Sequence, residues 1–310
     1  MSPLVFGLLG LAAFGHAAWN VLLKTSGDPL RTSGRAMIAG VTVGLPFAVA
    51  AYLLAGGPAI PPAALALAVA SGLLETVYFV FLSAAYRRGD LSVVYPIARG
   101  TAPLFAIAAG VGILGERLGP LGALGVAGLA AGILVIQRPW RAIASARHQA
   151  RRTAREGRID RASAVFGAFD RAILFALATG LTIAAYSAVD SVGAKLVAPW
   201  IFAALLFPVT AVSLVLWIRL VDRAAVDSGA GWPRAASAGL IALGGYLLVL
   251  LAYTVAPLTV VAPLRESAVV LVSGWGSLRL GESADRRDAT RRLIGAALIV
   301  AGAFVLTLDR

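Results

Sequence analysis

The fold is decided by a stretch of sequence that occurs twice. Residues 71–96, SGLLETVYFVFLSAAYRRGDLSVVYP, align without gaps to residues 238–263, AGLIALGGYLLVLLAYTVAPLTVVAP. Both stretches contain an apolar segment, a short break and the start of a second apolar segment, in which Pro96 matches Pro263. A repeat of this length indicates that the chain contains two related halves.

The composition around this repeat is that of a membrane protein. Of the 310 residues 59% are hydrophobic and only 14% are charged, whereas a soluble domain carries about a quarter charged residues. The apolar segments are too long for strands and show no alternation, so they are expected to be helices. One spanning helix needs about 20 apolar residues. Ten spans are predicted, at 3–23, 34–55, 63–86, 91–114, 119–137, 172–196, 199–220, 235–253, 257–279 and 291–308.

The number of spans in each half sets the topology. Five is odd, so the second half must enter the membrane with the opposite polarity. The predicted fold is an all-α membrane protein whose ten transmembrane helices form two inverted five-helix repeats, at 1–137 and 172–310, joined by a basic linker at 138–171. Inverted repeats are a feature of secondary transporters, whose substrate site lies near the midplane between the halves.

The positive charge predicts the orientation. The formal net charge is +12, and most of the 27 Lys and Arg residues lie in the odd-numbered connections or at the helix ends beside them. The positive-inside rule therefore places the 138–171 loop in the cytoplasm and both termini outside a cell membrane, plasma or inner, that the chain crosses many times. Because the charge lies between apolar segments, we interpret it as orienting the protein toward the lipid bilayer and do not expect a nucleic-acid partner.

Several chemistries are excluded by residues that the chain lacks. It has no cysteine and two histidines, so disulfides, thiolate nucleophiles and a histidine-rich metal site are not expected. No GxxxxGK[ST], HExxH or GxSxG pattern occurs. We therefore expect no ATP hydrolysis, no catalytic residues, no cofactor and no metal. An intramembrane enzyme and a non-transporting scaffold or receptor stay as alternative functions.

Glu75 is the clearest candidate for a functional side chain. It lies midway along the third span, where a charged group costs at least about 2.5–3.5 kcal/mol on insertion scales. Its counterpart in the second half is Ala242, so the symmetry of the fold does not require it. It could couple transport to protons or recognise a cation. The structural alternative is an ion pair with Arg99.

Arg99 lies on the fourth span, and its repeat counterpart is Glu266 on the ninth span, beside Arg265. Equivalent helices of an inverted repeat face each other, so Arg99 and Glu266 are expected to approach at the midplane. Arg99 could bind a substrate carboxylate or phosphate, with Glu266 or Arg265 as its gate or partner. The alternative is a permanent salt bridge that only fixes packing.

Polar and aromatic side chains on three spans are candidates for a cavity wall. They are His16, Trp19 and Asn20 on the first span, Tyr78 on the third and Tyr95 on the fourth. Such a wall could contact an organic substrate, whereas the alternative is packing within the bundle. Pro96 and Pro263 are expected to break the backbone ladder near the site, the alternative being simple kinks.

The other acidic residues have simpler interpretations. Asp190 and Lys195 are expected to form an interfacial pair near the outer end of span six. Glu116 and Glu282 occur in repeated Leu-Gly-Glu turns, where capping of a helix end is the expected role.

Small residues line the fifth span. Glycines recur there at three- and four-residue steps, at positions 119, 122, 125, 128 and 132. Glycine permits close helix approach in lipid, so this face is expected to pack inside the molecule or to form a dimer seam. The chain is accordingly expected to be a monomer or a homodimer.

In its order of motifs the chain resembles the EamA-type branch of the drug/metabolite transporter (DMT) superfamily. The resemblance is carried by the stretch HAAWNVLLK at 16–24, by Arg35, by Pro96 and Pro263, and by the Leu-Gly-Glu turns at 114–116 and 280–282. It implies a ten-helix protein with a central cavity that moves small metabolites or drugs, often outward. Members usually have cytoplasmic termini, whereas the charges of this chain predict external ones.

The sequence thus predicts a secondary active transporter, in direction an exporter, that moves a small-molecule substrate by alternating access around a central cavity. Proton coupling through Glu75 is a hypothesis attached to this prediction.

Overall fold

The computed structural model describes most of the chain as helix. It describes residues 3–24, 26–88, 91–138, 140–141, 144, 148, 159–221, 229–266 and 286–308, and these residues contain no strand. The helices with defined bounds are α1 (Pro3–Lys24), α2 (Pro29–Leu54), α3 (Pro62–Tyr86), α4 (Leu91–Gly112), α5 (Pro120–Gln137), α6 (Ile159–Leu196), α7 (Pro199–Leu220), α8 (Trp232–Tyr253), α9 (Leu258–Glu266) and α10 (Arg286–Leu308). The predicted all-α fold is confirmed.

Helix starts are set by proline and by capping. Five of the described helices, α1, α2, α3, α5 and α7, have proline as their first residue, where its missing N–H costs nothing. The Asp28 carboxylate caps α2 by accepting hydrogen bonds from the amides of Leu30 at 3.0 Å and Arg31 at 3.1 Å. This cap explains why α2 begins at Pro29 and not at the predicted residue 34.

Two helices differ from the predicted spans. α6 begins at Ile159, inside the predicted linker 138–171, because no proline interrupts the sequence from there to Leu196. The part of α6 with the length and hydropathy of a span is Arg171–Leu196. α9 is described as far as Glu266, and the rest of the predicted ninth span lies outside the described residues.

The described helices suit a lipid environment. Five are long and apolar enough to cross a membrane, namely α2, α3, the Arg171–Leu196 part of α6, α7 and α8, and shorter apolar helices lie within α1, α4 and α5. Large apolar side chains face outward, including Leu54 at 89% exposure and Phe47 at 73%. Such exposure suits contact with lipid.

The two halves run in opposite directions, as their glycine contacts show. A Cβ added to Gly132 on α5 would lie 2.6 Å from the carbonyl oxygen of Gly295 on α10, and one added to Gly302 would lie 2.6 Å from the carbonyl oxygen of Gly125. Since residue numbers rise along α5 as they fall along α10, the fifth helices of the two halves are antiparallel. The inverted repeat is confirmed, and this glycine face packs inside the molecule.

Contacts between the halves build the core. α3 packs against α6 and α7, and its repeat equivalent α8 packs against α1 and α2. The equivalent helices α2 and α7, α4 and α9, and α5 and α10 also pack against each other. Each half therefore completes the other, and the centre of the bundle is formed by helices from both.

Candidate functional site

A cavity lies at the centre of the bundle, level with the middle of α3. It has a volume of about 80 Å³. Helices of both halves line it, with Ala12, His16, Trp19, Met37, Glu75, Tyr78 and Phe79 from the first half and Tyr186, Phe207, Ile241, Ala242, Gly245, Tyr246, Val249 and Arg265 from the second. Polar groups at this depth in a membrane protein indicate a functional site.

Glu75 is held by a helix of the other half. Its side chain is only 5% exposed, and its Oε2 accepts a hydrogen bond from the Thr210 hydroxyl of α7 at 3.0 Å. Gly72 makes this approach possible, because a Cβ there would lie 2.8 Å from both the Leu206 carbonyl oxygen and the Val209 Cβ. The carboxyl is therefore positioned by packing between the halves.

Asp190 on α6 is a second buried carboxyl beside the cavity. It is fully buried and accepts hydrogen bonds from the hydroxyls of Ser71 on α3 and Tyr246 on α8. The prediction of an interfacial pair with Lys195 is wrong, since the Lys195 side chain is exposed. Asp190 lies nearly two turns before Leu196, about 9 Å along the helix axis, which is deep enough to remove it from water.

Tyr246 and Ser71 hold the second carboxyl close to the first. The Tyr246 hydroxyl donates to Asp190, and Tyr246 lines the cavity together with Glu75. Ser71, the other donor to Asp190, lies one turn before Glu75 on α3, so both acidic groups lie along the same face of α3. An acidic residue of the first half and one of the second thus meet at this helix.

Two guanidinium groups are held in matching ways by phenol hydroxyls. Arg99, 3% exposed, donates to the Tyr78 hydroxyl at 3.2 Å, and Arg265, 5% exposed, donates to the Tyr186 hydroxyl at 3.0 Å. Glu75 thus bonds a hydroxyl of α7, and Arg99 bonds a hydroxyl of α3. Glu75 and Arg265 line the cavity, while Asp190 and Arg99 bond the wall residues Tyr246 and Tyr78. Two carboxyls and two guanidinium groups therefore lie in the wall or directly behind it.

Aromatic rings join these polar groups. The rings of Tyr78 and Tyr186 lie 6.0 Å apart at 75°, and those of Tyr246 and Phe207 lie 5.5 Å apart at 73°. The Arg265 guanidinium lies 5.6 Å from the centre of the Tyr186 ring, a cation–π distance. Such a wall can contact the apolar part of a small organic molecule while its charged parts meet the ionised side chains.

Helix α1 reaches the cavity. His16 and Trp19 both line it, as does Arg265 of α9, and Trp19 is 4% exposed. Two of the candidate residues of the first span therefore lie at the cavity.

Some predicted residues lie outside what is described. The side chains of Asn20, Tyr95 and Glu266 are outside the described residues, so the approach of Arg99 to Glu266 stays a prediction. α4 and α9 continue through Pro96 and Pro263, because a proline near a helix start removes one backbone hydrogen bond without ending the helix.

The site also contains residues that sequence reasoning did not select as site residues. They are Asp190, Ser71, Thr210 and Phe207. Asp190 carried the same signal as Glu75, an acid inside an apolar span, and its depth could have identified it. Within the ranges that the structure describes, no group of three or more His, Cys, Asp and Glu residues is placed to hold a metal ion.

Comparison with known proteins gives a family match across both halves. The model of the EamA-like transporter family matches residues 4–138 and 170–308. A solved structure described only as "Crystal structure of protein" has a TM-score of 0.70 and 20% identity, over 98% of this chain and 97% of that chain. At this identity the likeness shows the fold alone. A search of curated proteins found no match.

Proposed function

Since the chain belongs to the EamA-like transporter family and is thus a membrane transporter of the drug/metabolite type, we propose that it exports small metabolites or drugs by proton-driven alternating access. The observation that carries this proposal is Glu75, a buried carboxyl in a cavity between inverted halves. Inverted-repeat transporters bind substrate and coupling ions in this place.

Proton coupling is supported by the surroundings of Glu75. Its hydrogen bond comes from a neutral hydroxyl, and a second acid, Asp190, bonds Ser71 one turn away on the same helix. Two acids at close range in an apolar medium do not both carry charge readily. Uptake of a proton by this pair, followed by its release to the other side, would couple transport to a proton gradient.

The substrate must be a small organic molecule with charged groups. The wall offers carboxyls, guanidinium groups and aromatic rings, which together suit a zwitterion, an organic anion or a cationic amphiphile. A cavity of about 80 Å³ is smaller than the roughly 300–1,000 Å³ of pockets for drug-sized ligands. A larger substrate would therefore require the halves to separate.

Transport assays in proteoliposomes test the proposal. Amino acids, sugar phosphates, polyamines and cationic drugs would be screened for flux with and without a pH gradient. We expect a pH gradient to accelerate flux of one of these classes, and Glu75→Gln to remove the acceleration.

The matched control is Asp28→Asn, another carboxyl-to-amide change. Asp28 caps α2 away from the cavity, and asparagine caps a helix about as well as aspartate. Proton coupling would be refuted if the pH gradient did not change the flux of the wild type and if Glu75→Gln showed the same flux. A scaffold or receptor would show no flux of any class and would tolerate both Glu75→Gln and Arg99 variants.

Orientation is part of the proposal. The charge distribution predicts a cytoplasmic 138–171 loop and external termini. A C-terminal reporter that is active only outside the cytoplasm is expected to give signal, and a reporter active only inside is expected to be silent. The reverse pattern would overturn the predicted orientation.

A further inference from the structure

A carboxylate in the turn between α4 and α5 holds the start of α9, which belongs to the other half. Glu116 Oε1 accepts a hydrogen bond from the Leu258 amide at 2.6 Å, and its Oε2 accepts one from the Thr259 amide at 2.9 Å. These amides belong to the first turn of α9, where the helix has no backbone partners for them. The expected capping role of Glu116 is confirmed, but the capped helix is 142 residues away in sequence.

The turn is built around this contact. Gly115 adopts a φ of 66°, which favours glycine, and the Glu116 amide donates to the Gly110 carbonyl at 2.9 Å. A Cβ on Gly110 would lie 2.5 Å from Glu116 Oε2 and 2.6 Å from Thr259 Cγ2. The missing side chain of Gly110 therefore leaves the space in which the carboxylate meets α9.

The contact joins the helices that carry the two guanidinium groups of the cavity. α4 carries Arg99, and α9 carries Arg265 two turns after Leu258. The Glu116 contact lies at the face of the bundle that holds the α4–α5 and α8–α9 turns. A substrate path to that face requires α4 and α9 to separate there.

The opposite face has its own contact between the halves. Arg35 at the start of α2 donates to the carbonyl oxygens of Gly229 at 3.2 Å and Ala230 at 2.6 Å, just before α8. The Ala230 amide donates to the Thr32 hydroxyl at 3.0 Å. On each face of the bundle, hydrogen bonds thus link one half to the other.

We propose that Glu116 is a positioning residue that closes one face of the transporter, and that its carboxylate must release α9 each time the cavity opens to that face. The inference rests on the alternating access proposed above, in which the two faces open in turn. Its bonds to the α9 amides are charge-assisted, so they favour the closed arrangement of that face over the open one.

Thiol labelling tests the inference directly, because the chain contains no cysteine. A single Ala242→Cys places a thiol in the cavity wall, and a membrane-impermeant maleimide is applied from each face in turn. With Glu116→Gln we expect labelling from the Glu116 face to become about tenfold faster, because the amide nitrogen cannot accept the second hydrogen bond. Labelling from the opposite face is expected not to accelerate.

A second variant perturbs the same contact without changing any charge. Gly110→Ala pushes a methyl group into Glu116 and Thr259, so it should accelerate labelling from the same face. Gly112→Ala is the matched control, since a Cβ at Gly112 meets nothing within 4 Å. It is expected to leave labelling unchanged.

The outcomes separate this inference from the proposed function. Unchanged labelling in both Glu116→Gln and Gly110→Ala would overturn the gating role, and so would equal acceleration from both faces, which indicates general loosening. The assay needs neither substrate nor proton gradient. A face-specific acceleration would therefore support the role of Glu116 even if proton-driven export failed its own test.

Discussion

The internal repeat is preserved at the seam between α5 and α10 but not at Glu75 in the central cavity. In the seam, Gly125 and Gly132 of the first half correspond to Gly295 and Gly302 of the second, and both cross-contacts have the same 2.6 Å approach. In the cavity, the counterpart of Glu75 is Ala242. Symmetry is kept where helices pack and lost where polar groups meet.

The difference follows from what each region requires. Close packing of two helices needs only small residues on both, so a duplicated sequence serves both sides of the seam equally well. A binding site must distinguish the groups of its ligand, which needs unlike side chains on its two sides. Tyr246 of α8 faces the cavity where the corresponding residue of α3 is Phe79. At Glu75 and Tyr246 the halves therefore differ at positions whose polar groups line the cavity.

The substitution Glu75→Ala makes the two halves alike at the most important of these positions. We expect proton-driven flux per folded protein to fall by at least about tenfold. A tenfold change corresponds to a loss of about 1.4 kcal/mol of stabilisation in the step that takes up the proton. Flux driven by a pH gradient in proteoliposomes measures the effect. Flux close to that of the wild type would show that the asymmetry at this position has no role in coupling.

The substitution Tyr246→Phe gives α8 the residue of α3 and removes the hydroxyl that bonds Asp190. A neutral hydrogen bond contributes about 0.5–1.5 kcal/mol, so we expect flux to fall about two- to tenfold. Tyr52→Phe is the control, because its hydroxyl bonds the Pro58 carbonyl on the exposed surface. Equal flux in both variants would contradict a role of the Tyr246 hydroxyl in transport.

The substitution Gly132→Ala changes the symmetric seam and leaves the cavity untouched. The added methyl group would lie 2.6 Å from the Gly295 carbonyl oxygen, and overpacking of this kind costs about 1–3 kcal/mol. We expect a lower thermal unfolding midpoint but unchanged flux per folded molecule. Gly244→Ala, where a Cβ meets nothing within 4 Å, should not lower the midpoint, and equal midpoints would contradict tight packing of the seam.

The substitution Lys195→Gln is expected to have the smallest effect. Lys195 is exposed while Asp190 bonds Ser71 and Tyr246, so stability should change by less than about 0.5 kcal/mol. Flux should also stay the same. If Lys195→Gln lost as much flux as Asp190→Asn, the interpretation of Asp190 and Lys195 as a pair would be restored.

The sequence contains enough information for the architecture, because helix number, repeat and seam depend on local properties. The length of the apolar segments and the breaks between them predicted the helices, and the odd number of spans in each repeat predicted the antiparallel arrangement of the halves. The start of α6 was missed because a basic, polar segment can continue a helix when no proline stops it.

The site was only partly predictable, because its partners come from distant parts of the chain. Glu75, His16 and Arg265 stand out as polar residues in apolar spans, and the cavity contains all three. The bonds from Thr210 to Glu75 and from Leu258 to Glu116 depend on which helices meet after folding. Residue spacing within one helix carries no information about such partners.

The dependence of each half on the other has a consequence for biosynthesis. Glu75 and the hydroxyl that stabilises it are 135 residues apart, so at about 5–20 residues per second the ribosome needs roughly 7–27 s to supply the partner. During this interval the nascent first half has an acid in the bilayer without its final neighbour. Insertion factors that shelter unfinished helices are therefore expected to hold it, and a chain truncated after residue 137 should be degraded.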